Sequence, residues 1–479
     1  MKVKTPVEAT QSELVAHRYG TGPRSPRRAR LTAGPLTLMT VGGIMGSGLF
    51  LASGEAIRLA GPAIAISFAI GATAMALEVA LLAEMAAADP ERGSFLAFAR
   101  HSLGPGPAFV GGWIFWFSSI LNLAAEATAG AIFTRLWLPR VPVYVFSMGY
   151  AALIVGINFL PVKNFSRIES GMSVTKIGVT LLFIVVGALA IARLLPVHAP
   201  VGPHLWLNAP SFFPHGAAGI AAAMVLVLFS LSGTGVLGLA APDVKRPEET
   251  IGPSIRNTVL AIYVLYVGAS LVMTGLVPWS QIPPSTESPF IAALGVLPWG
   301  VLATVFNGVI LVAVLSAMNA GLFATNRVLA TLGRIHDAPR MVAKSSGGIP
   351  RVANAITGAG LVAAAGLAYL LPKTAYLYLV MATGFQALFV WLLIVVTEIA
   401  YRPRLKKDGR PLRFKVPGYP WTAVFAALLI VAIIATAPLA PHELPALGIG
   451  VVVTGAAALA YLPVRARRRR EVAPEEHAP

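Results

Sequence analysis

The chain has 479 residues, 56% of them hydrophobic and only 12% charged, with a mean hydropathy of +0.74. A water-soluble domain carries about 25% charged residues, so the composition excludes one. The formal net charge is +17 and there is no cysteine, which excludes disulfides and thiolate metal sites.

Residues 1–34 are polar and arginine-rich and contain no cleavable apolar segment. Twelve apolar segments follow, at about 35–58, 62–86, 105–134, 141–160, 169–193, 212–241, 256–278, 297–326, 350–371, 374–400, 419–438 and 443–463. Most approach the ~20 residues needed to cross a bilayer. With the N-terminus placed in the cytoplasm, the inward-facing connections and tails hold 31 of the 37 lysines and arginines. The outward-facing ones hold Arg58, Arg135, Arg140, Arg193 and Lys373, and Lys176 falls within a segment. This asymmetry follows the positive-inside rule and predicts cytoplasmic termini at the cytoplasmic (inner) membrane. It accounts for the net charge as topology signals facing anionic lipid, with no nucleic-acid partner. The end of the chain, Glu471–Pro479, has the composition of a disordered tail.

The first segment carries "GGIMGSGLF" (Gly42–Phe50), four glycines and a serine at mid-depth. Glycine costs about 1 kcal/mol relative to alanine inside a helix. The sixth repeats the oddity in "VLVLFSLSGTGVLGLA" (Val225–Ala240). Two interrupted segments five apart predict two related halves of five spans, the second inverted, with a site between the interruptions. An unwound stretch offers free N–H groups and a half-helix N-terminus to a carboxylate, and released carbonyls to an ammonium. Met45, Gly46 and Gly233 belong to that predicted cradle. The competing reading takes Gly42 and Gly46 as a small-xxx-small packing motif. The matched positions of the two interruptions favour the site.

These stretches resemble the amino acid permeases of the amino acid–polyamine–organocation superfamily, in particular their bacterial amino acid transporter branch. The resemblance is carried by "GGIMGSGLFLASGEAIRLAGP" (42–62), "AEMAAADPERGSFLAFARHSLGPGPAFVGGWIFW" (83–116), "AEATA" (125–129), "SVTKIGV" (173–179), "FSLSGTGVLGLAAPDVKRPEETI" (229–251), "SAMNAGLFATNRVLATLGR" (316–334) and "VPGYPW" (416–421), in family order. It implies an all-α polytopic membrane protein of about twelve helices. Residues 35–400 would form a LeuT-like 5+5 inverted repeat (35–193 and 212–400) with helices one and six broken. Two peripheral helices and a basic loop over 401–463 and a tail from 464 complete that expectation. It implies an amino acid importer rather than an enzyme, with Ile44, Ser47 and Gly48 of the first span and Phe229, Ser230 and Leu231 of the sixth touching substrate. Where the family usually has Glu after the Gly-Thr of span six, this chain has Gly235, and Leu231 stands in place of a frequent aromatic.

Ionisable residues within apolar runs are functional candidates. Lys176 lies about two turns into the fifth segment. The resemblance places such a lysine against spans one and eight, where its ammonium substitutes for a cation, and burial disfavours the charged form. Proton coupling through Lys176 is therefore expected, against a lysine snorkelling to headgroups. Ser316 and Asn319 match a block facing the same region; their oxygens read either as solvating that ammonium or a cation in a coupling site, or as polar contacts that hold helices together. Glu126 reads either as a contact for a substrate ammonium or as a structural hydrogen bond between spans. Glu78 reads as packing. Glu84, Asp243 and Glu398, at span ends, read as solvated. No Walker loop is present, so ATP drive is not expected, nor are a metal or other cofactor. The expected partners are an amino acid, a proton and the bilayer. An exchanger on the same fold, or a permease-like sensor, is the alternative.

Overall fold

A chain in lipid must satisfy its backbone polar groups internally, and in the computed structural model every regular element among the described residues is helical. The structure describes residues 32–89, 94–160, 165–207, 212–233, 244, 247–345, 349–407, 409, 412, 414–439 and 443–472. In chain order the helices are α1 (Ala33–Ile44), α2 (Ser53–Ala60), α3 (Ile64–Ala88), α4 (Phe95–Ser102), α5 (Pro105–Thr134), α6 (Val143–Ile157) and α7 (Phe165–Ile191). Then come α8 (His204–Leu207), α9 (Gly216–Ala222), α10 (Met224–Ser230), α11 (Pro247–Ile262), α12 (Gly268–Leu276), α13 (Pro289–Leu294) and α14 (Gly300–Arg334). The last are α15 (Arg351–Ala365), α16 (Leu367–Leu370), α17 (Ala375–Lys407), α18 (Trp421–Ala435) and α19 (Glu443–Val472).

Helices occupy part of each of the twelve expected segments, but nine helices among the described residues are long and apolar enough to cross a membrane. The shorter apolar ones, Ala33–Ile44, Val143–Ile157 and Gly216–Ser230, fall in the first, fourth and sixth segments. Two of these three carry the predicted interruptions. The first segment leaves the helix at Met45, whose backbone is extended (φ −75°, ψ 92°), and resumes as a π turn over Gly48–Ala52 leading into α2. The sixth leaves it at Leu231, and Thr234, Gly235 and Gly238 lie outside the described residues, as does Asp243. The final helix runs on to Val472, through the basic stretch expected in a tail.

Sequence sets the other ends. Ser94 Oγ accepts from Ala97 N at 3.3 Å and caps α4. Pro105 opens α5, where its missing N–H has no helical partner to lose. Helix α5 is central, packing against α4, α6, α14, α15, α17 and α19. Helix α1 lies between α7 and α11, while α10 touches the π turn, α2, α3 and α17. Ile44, Met45, Leu49, Phe229, Leu231, Tyr266 and Tyr376 all belong to one large buried cluster, so both interruptions sit in the middle of the protein. Outward faces stay apolar: Val185 on α7 is 55% exposed, Val301 on α14 77% and Val452 on α19 70%. Exposed aliphatic side chains on every flank are what a lipid-facing surface requires.

Candidate functional site

Breaking α1 at mid-depth releases backbone groups, and each released group must find a partner away from water. Ser47 N–H points between the carboxylate oxygens of Glu126, donating to Oε1 and Oε2 at 3.0 Å each, and the Ser47 hydroxyl donates to Oε1 at 3.1 Å. The Tyr376 hydroxyl donates to Ser47 O at 3.0 Å. Tyr266, in the π turn Tyr263–Val267 after α11, donates to Ile44 O at 3.2 Å. Lys176 Nζ donates to Gly42 O at 3.1 Å. Four separate elements, α5, α17, the π turn and α7, thus each send one side chain to the same interruption.

The second interruption meets the first. The Tyr266 hydroxyl lies 3.0 Å from Ser230 O as well, so one proton serves carbonyls on both broken helices. Gly48 packs directly on Ser230: a Cβ there would strike the Ser230 Cα and side chain. Gly233 has φ +112°, and a Cβ on it would lie 2.7 Å from Gly43 O. Met45, Ser47 and Leu231 are fully buried, and Ile44, Phe229, Ser230 and Glu126 nearly so. Gly46 is buried beside the Glu126 carboxylate, while Gly233 is exposed. Replacing Tyr266 with Phe leaves two buried carbonyls without their donor, at about 1–3 kcal/mol for each unsatisfied group. The Tyr266→Phe protein is expected to melt several degrees lower and to lose uptake activity in proteoliposomes. Wild-type melting and uptake would show the bridge to be dispensable.

Lys176 is 1% exposed although Val174, two residues earlier, is 53% exposed. The helix therefore turns the lysine inward, and it does not snorkel to the headgroups. It borders an open surface groove of about 300 Å³ between α7 and α14, lined also by the exposed Thr175, Val305 and Val312. Asn319 Oδ1 accepts from Asn158 Nδ2 at 2.8 Å, tying α14 to the end of α6. Ser316 is buried on the same helix. Glu126 makes the structural bond between spans that was one of its two readings. Glu78 is buried, as packing requires. The reading of Glu84 and Glu398 as solvated is wrong: they are 1% and 0% exposed, because α17 and residues 414–416 cover the end of α3. Tyr266, Tyr376 and Asn158 were missed. A tyrosine in an apolar span must place its hydroxyl on a partner, and that was the available signal.

Comparison with known proteins bears on this geometry. The amino acid permease family model matches residues 36–462. The chain belongs to that family. A gamma-aminobutyric acid permease of Bacillus subtilis is 31% identical over 440 residues, covering 91% of this chain and 94% of that protein. An amino acid permease of the same organism, YtnA, is 32% identical over 425 residues, covering 87% and 90%. The aromatic amino acid transport protein AroP of Corynebacterium glutamicum is 30% identical over 404 residues, covering 84% and 87%. This permease is thus a multi-pass membrane protein related throughout its helical part to amino acid transporters, and the two interruptions lie within the matched region.

Proposed function

We propose that this permease is a proton-coupled importer of an amino acid, working by alternating access at the cytoplasmic membrane with both termini in the cytoplasm. Substrate would bind where the two interruptions meet, between Ile44–Gly48 and Phe229–Gly233, in a core of two inverted five-helix repeats. The observation that carries this reading is the Ser47–Glu126 contact. A carboxylate already occupies the donors of the α1 break. Those donors are therefore shaped for a carboxylate, and an amino acid brings one. Two carboxylates cannot share them while both are charged. Substrate entry then requires Glu126 to take a proton or move aside, which links binding to protonation. Lys176 on Gly42 O, at the other side of the break, provides the second coupling group, and Ser316 and Asn319 line the helix that faces it. The relatives named for gamma-aminobutyric acid and for aromatic amino acids have a carboxylate as the shared feature of the compounds in their names.

The test is a thermal-shift screen of the purified protein against the twenty common amino acids and gamma-aminobutyric acid at two pH values, one acidic and one neutral. A ligand at 100 times its dissociation constant stabilises by about 2.7 kcal/mol. One or a few amino acids are expected to raise the melting temperature, and their methyl esters, which lack the carboxylate, are not. Equal stabilisation by acid and ester would remove the carboxylate site, and silence across the whole panel would remove amino acid binding.

A further inference from the structure

Where α17 runs out towards α18, the surface carries an open groove of about 510 Å³ that shares no residue with the two interruptions. Arg402, Pro403 and Lys406 of α17 form one wall, and Leu412, Lys415 and Tyr419, on the way to α18, form the other. Three cations thus meet a proline, a leucine and an aromatic ring. Glu84 and Glu398 are buried, and no carboxylate is among the described residues that line the groove. Within residues 402–415 the sequence sets seven lysines and arginines against one aspartate. Arg402 is fixed in place: its Nη1 lies 3.0 Å from Glu84 Oε1 and donates to Oε2 at 3.3 Å, and its guanidinium lies 4.2 Å from the Tyr419 ring centroid. Both contacts to Glu84 use Nη1, which leaves Nε and Nη2 to an acceptor in the groove. Lys406 follows one turn later on the same face of α17, and both it and Lys415 are exposed.

The groove opens onto apolar surface. Val396 lies two turns before Pro403 on the same face of α17 and is exposed. On α18, which packs beside α17, Trp421, Phe425 and Leu428 follow at helical spacing and are all exposed, starting two residues after Tyr419. A tryptophan at the head of such a stripe suits the boundary between hydrocarbon and headgroups. Cations above and lipid-facing stripes below are complementary to a molecule with an anionic head and hydrocarbon chains. A soluble phosphate has no use for the stripes, and a neutral lipid has none for the cations.

We propose that this groove binds one anionic phospholipid of the adjoining leaflet. Its phosphate sits among Arg402, Lys406 and Lys415, its glycerol region over Leu412 and Tyr419, and its chains run down beside Val396 and the α18 stripe. Charge-assisted hydrogen bonds to phosphate are the strong kind, and basic pockets at the membrane surface between helices are where anionic headgroups lodge. Because the cations come from both sides of the groove, the bound phosphate ties the end of α17 to the segment before α18.

The experiment uses the purified full-length protein in a neutral detergent. Dioleoyl phosphatidylglycerol is the probe, with dioleoyl phosphatidylcholine and glycerol 3-phosphate beside it. Native mass spectrometry counts retained lipid, and the melting temperature is followed along each titration. The wild type is expected to retain phosphatidylglycerol and to melt higher as it is added. Phosphatidylcholine, which has no net charge, and glycerol 3-phosphate, which has no chains, should leave it unchanged at the same concentrations. Lys406→Gln combined with Lys415→Gln should weaken the apparent affinity by about tenfold or more. Should that variant not fold, Lys406→Gln alone, with an expected loss of about threefold, decides instead. Arg340→Gln combined with Lys344→Gln removes two exposed cations from the turn after α14 and should bind phosphatidylglycerol as the wild type does. Equal weakening by the two double variants would assign the effect to diffuse surface charge and overturn the proposal. So would a wild type that retains no phosphatidylglycerol or binds phosphatidylcholine equally well. Equal stabilisation by glycerol 3-phosphate would make this a site for soluble phosphate and overturn the lipid. None of these readouts requires an amino acid, so they stand apart from the substrate screen.

Discussion

Replacing Lys176 with Met is expected to abolish uptake driven by a pH gradient while the protein remains folded. The side chain is buried, its ammonium bonds to a carbonyl at the rim of the α1 break, and Ser173 one turn earlier packs on the same Gly42. Burying an ammonium is expensive and the cost is recovered only through partners. Deprotonation leaves an amine that can still donate but strips the charge from the bond between Nζ and Gly42 O, and so would weaken one of the ties between α7 and α1. Methionine fills similar space with an adaptable apolar chain but carries no proton. The measurement is uptake into proteoliposomes with an imposed pH gradient, set beside counterflow without one. Counterflow surviving while gradient-driven uptake is lost would place Lys176 in coupling. Full gradient-driven uptake by Lys176→Met would remove the residue from the mechanism.

A second large effect is expected at Gly48. Its Cα faces Ser230 so closely that an alanine methyl would clash with Ser230 Cα. The nearest atom in the way is the Ser230 Cα, with its Cβ and Oγ just behind, so a change of rotamer does not clear the clash and α10 itself must shift. Overpacking of this kind typically costs 1–3 kcal/mol. Here the shift would also stretch the Tyr266 bridge between Ile44 O and Ser230 O. Gly48→Ala should therefore lower the melting temperature and reduce substrate-induced stabilisation by at least tenfold in apparent affinity. Alanine at Gly34, where an added Cβ meets nothing within 4 Å, is the control that should leave both unchanged. Equal behaviour of the two variants would show that the contact between the interruptions is not needed for binding.

The parts of this architecture visible in the sequence are those with a local signature. Glycine clustering marked both interruptions because helix propensity is a property of a few adjacent residues, and Lys176 stood out because a charge in an apolar run is conspicuous. The partners were harder. Tyr266 and Tyr376 read as two more aromatics among apolar neighbours, and only the fold shows that their hydroxyls reach carbonyls 222 and 329 positions away. Glu84 and Glu398 were misread for a related reason. Counting residues along a helix gives depth, but solvation at a helix end depends on what lies beside it, and here α17 and residues 414–416 cover the pair. Glu126 stayed ambiguous until its acceptor atoms could be seen against Ser47. In each case the sequence shows a group that needs a partner, and distance along the chain hides which partner it has.

The Ser47–Glu126 contact also bears on waste. Any movement that parts the α1 break from α5 must first surrender hydrogen bonds to a buried carboxylate, each worth about 1.5–3 kcal/mol. Every 1.36 kcal/mol added to a barrier slows a step tenfold. Under the proposed alternating access, an empty carrier held by this clasp would idle slowly, whereas an arriving amino acid carboxylate would take over the same donors and let the helices part. On the proposed mechanism the glutamate would work against leakage: it would stand in for cargo when there is none, so that a membrane gradient is not run down by cycles that carry nothing.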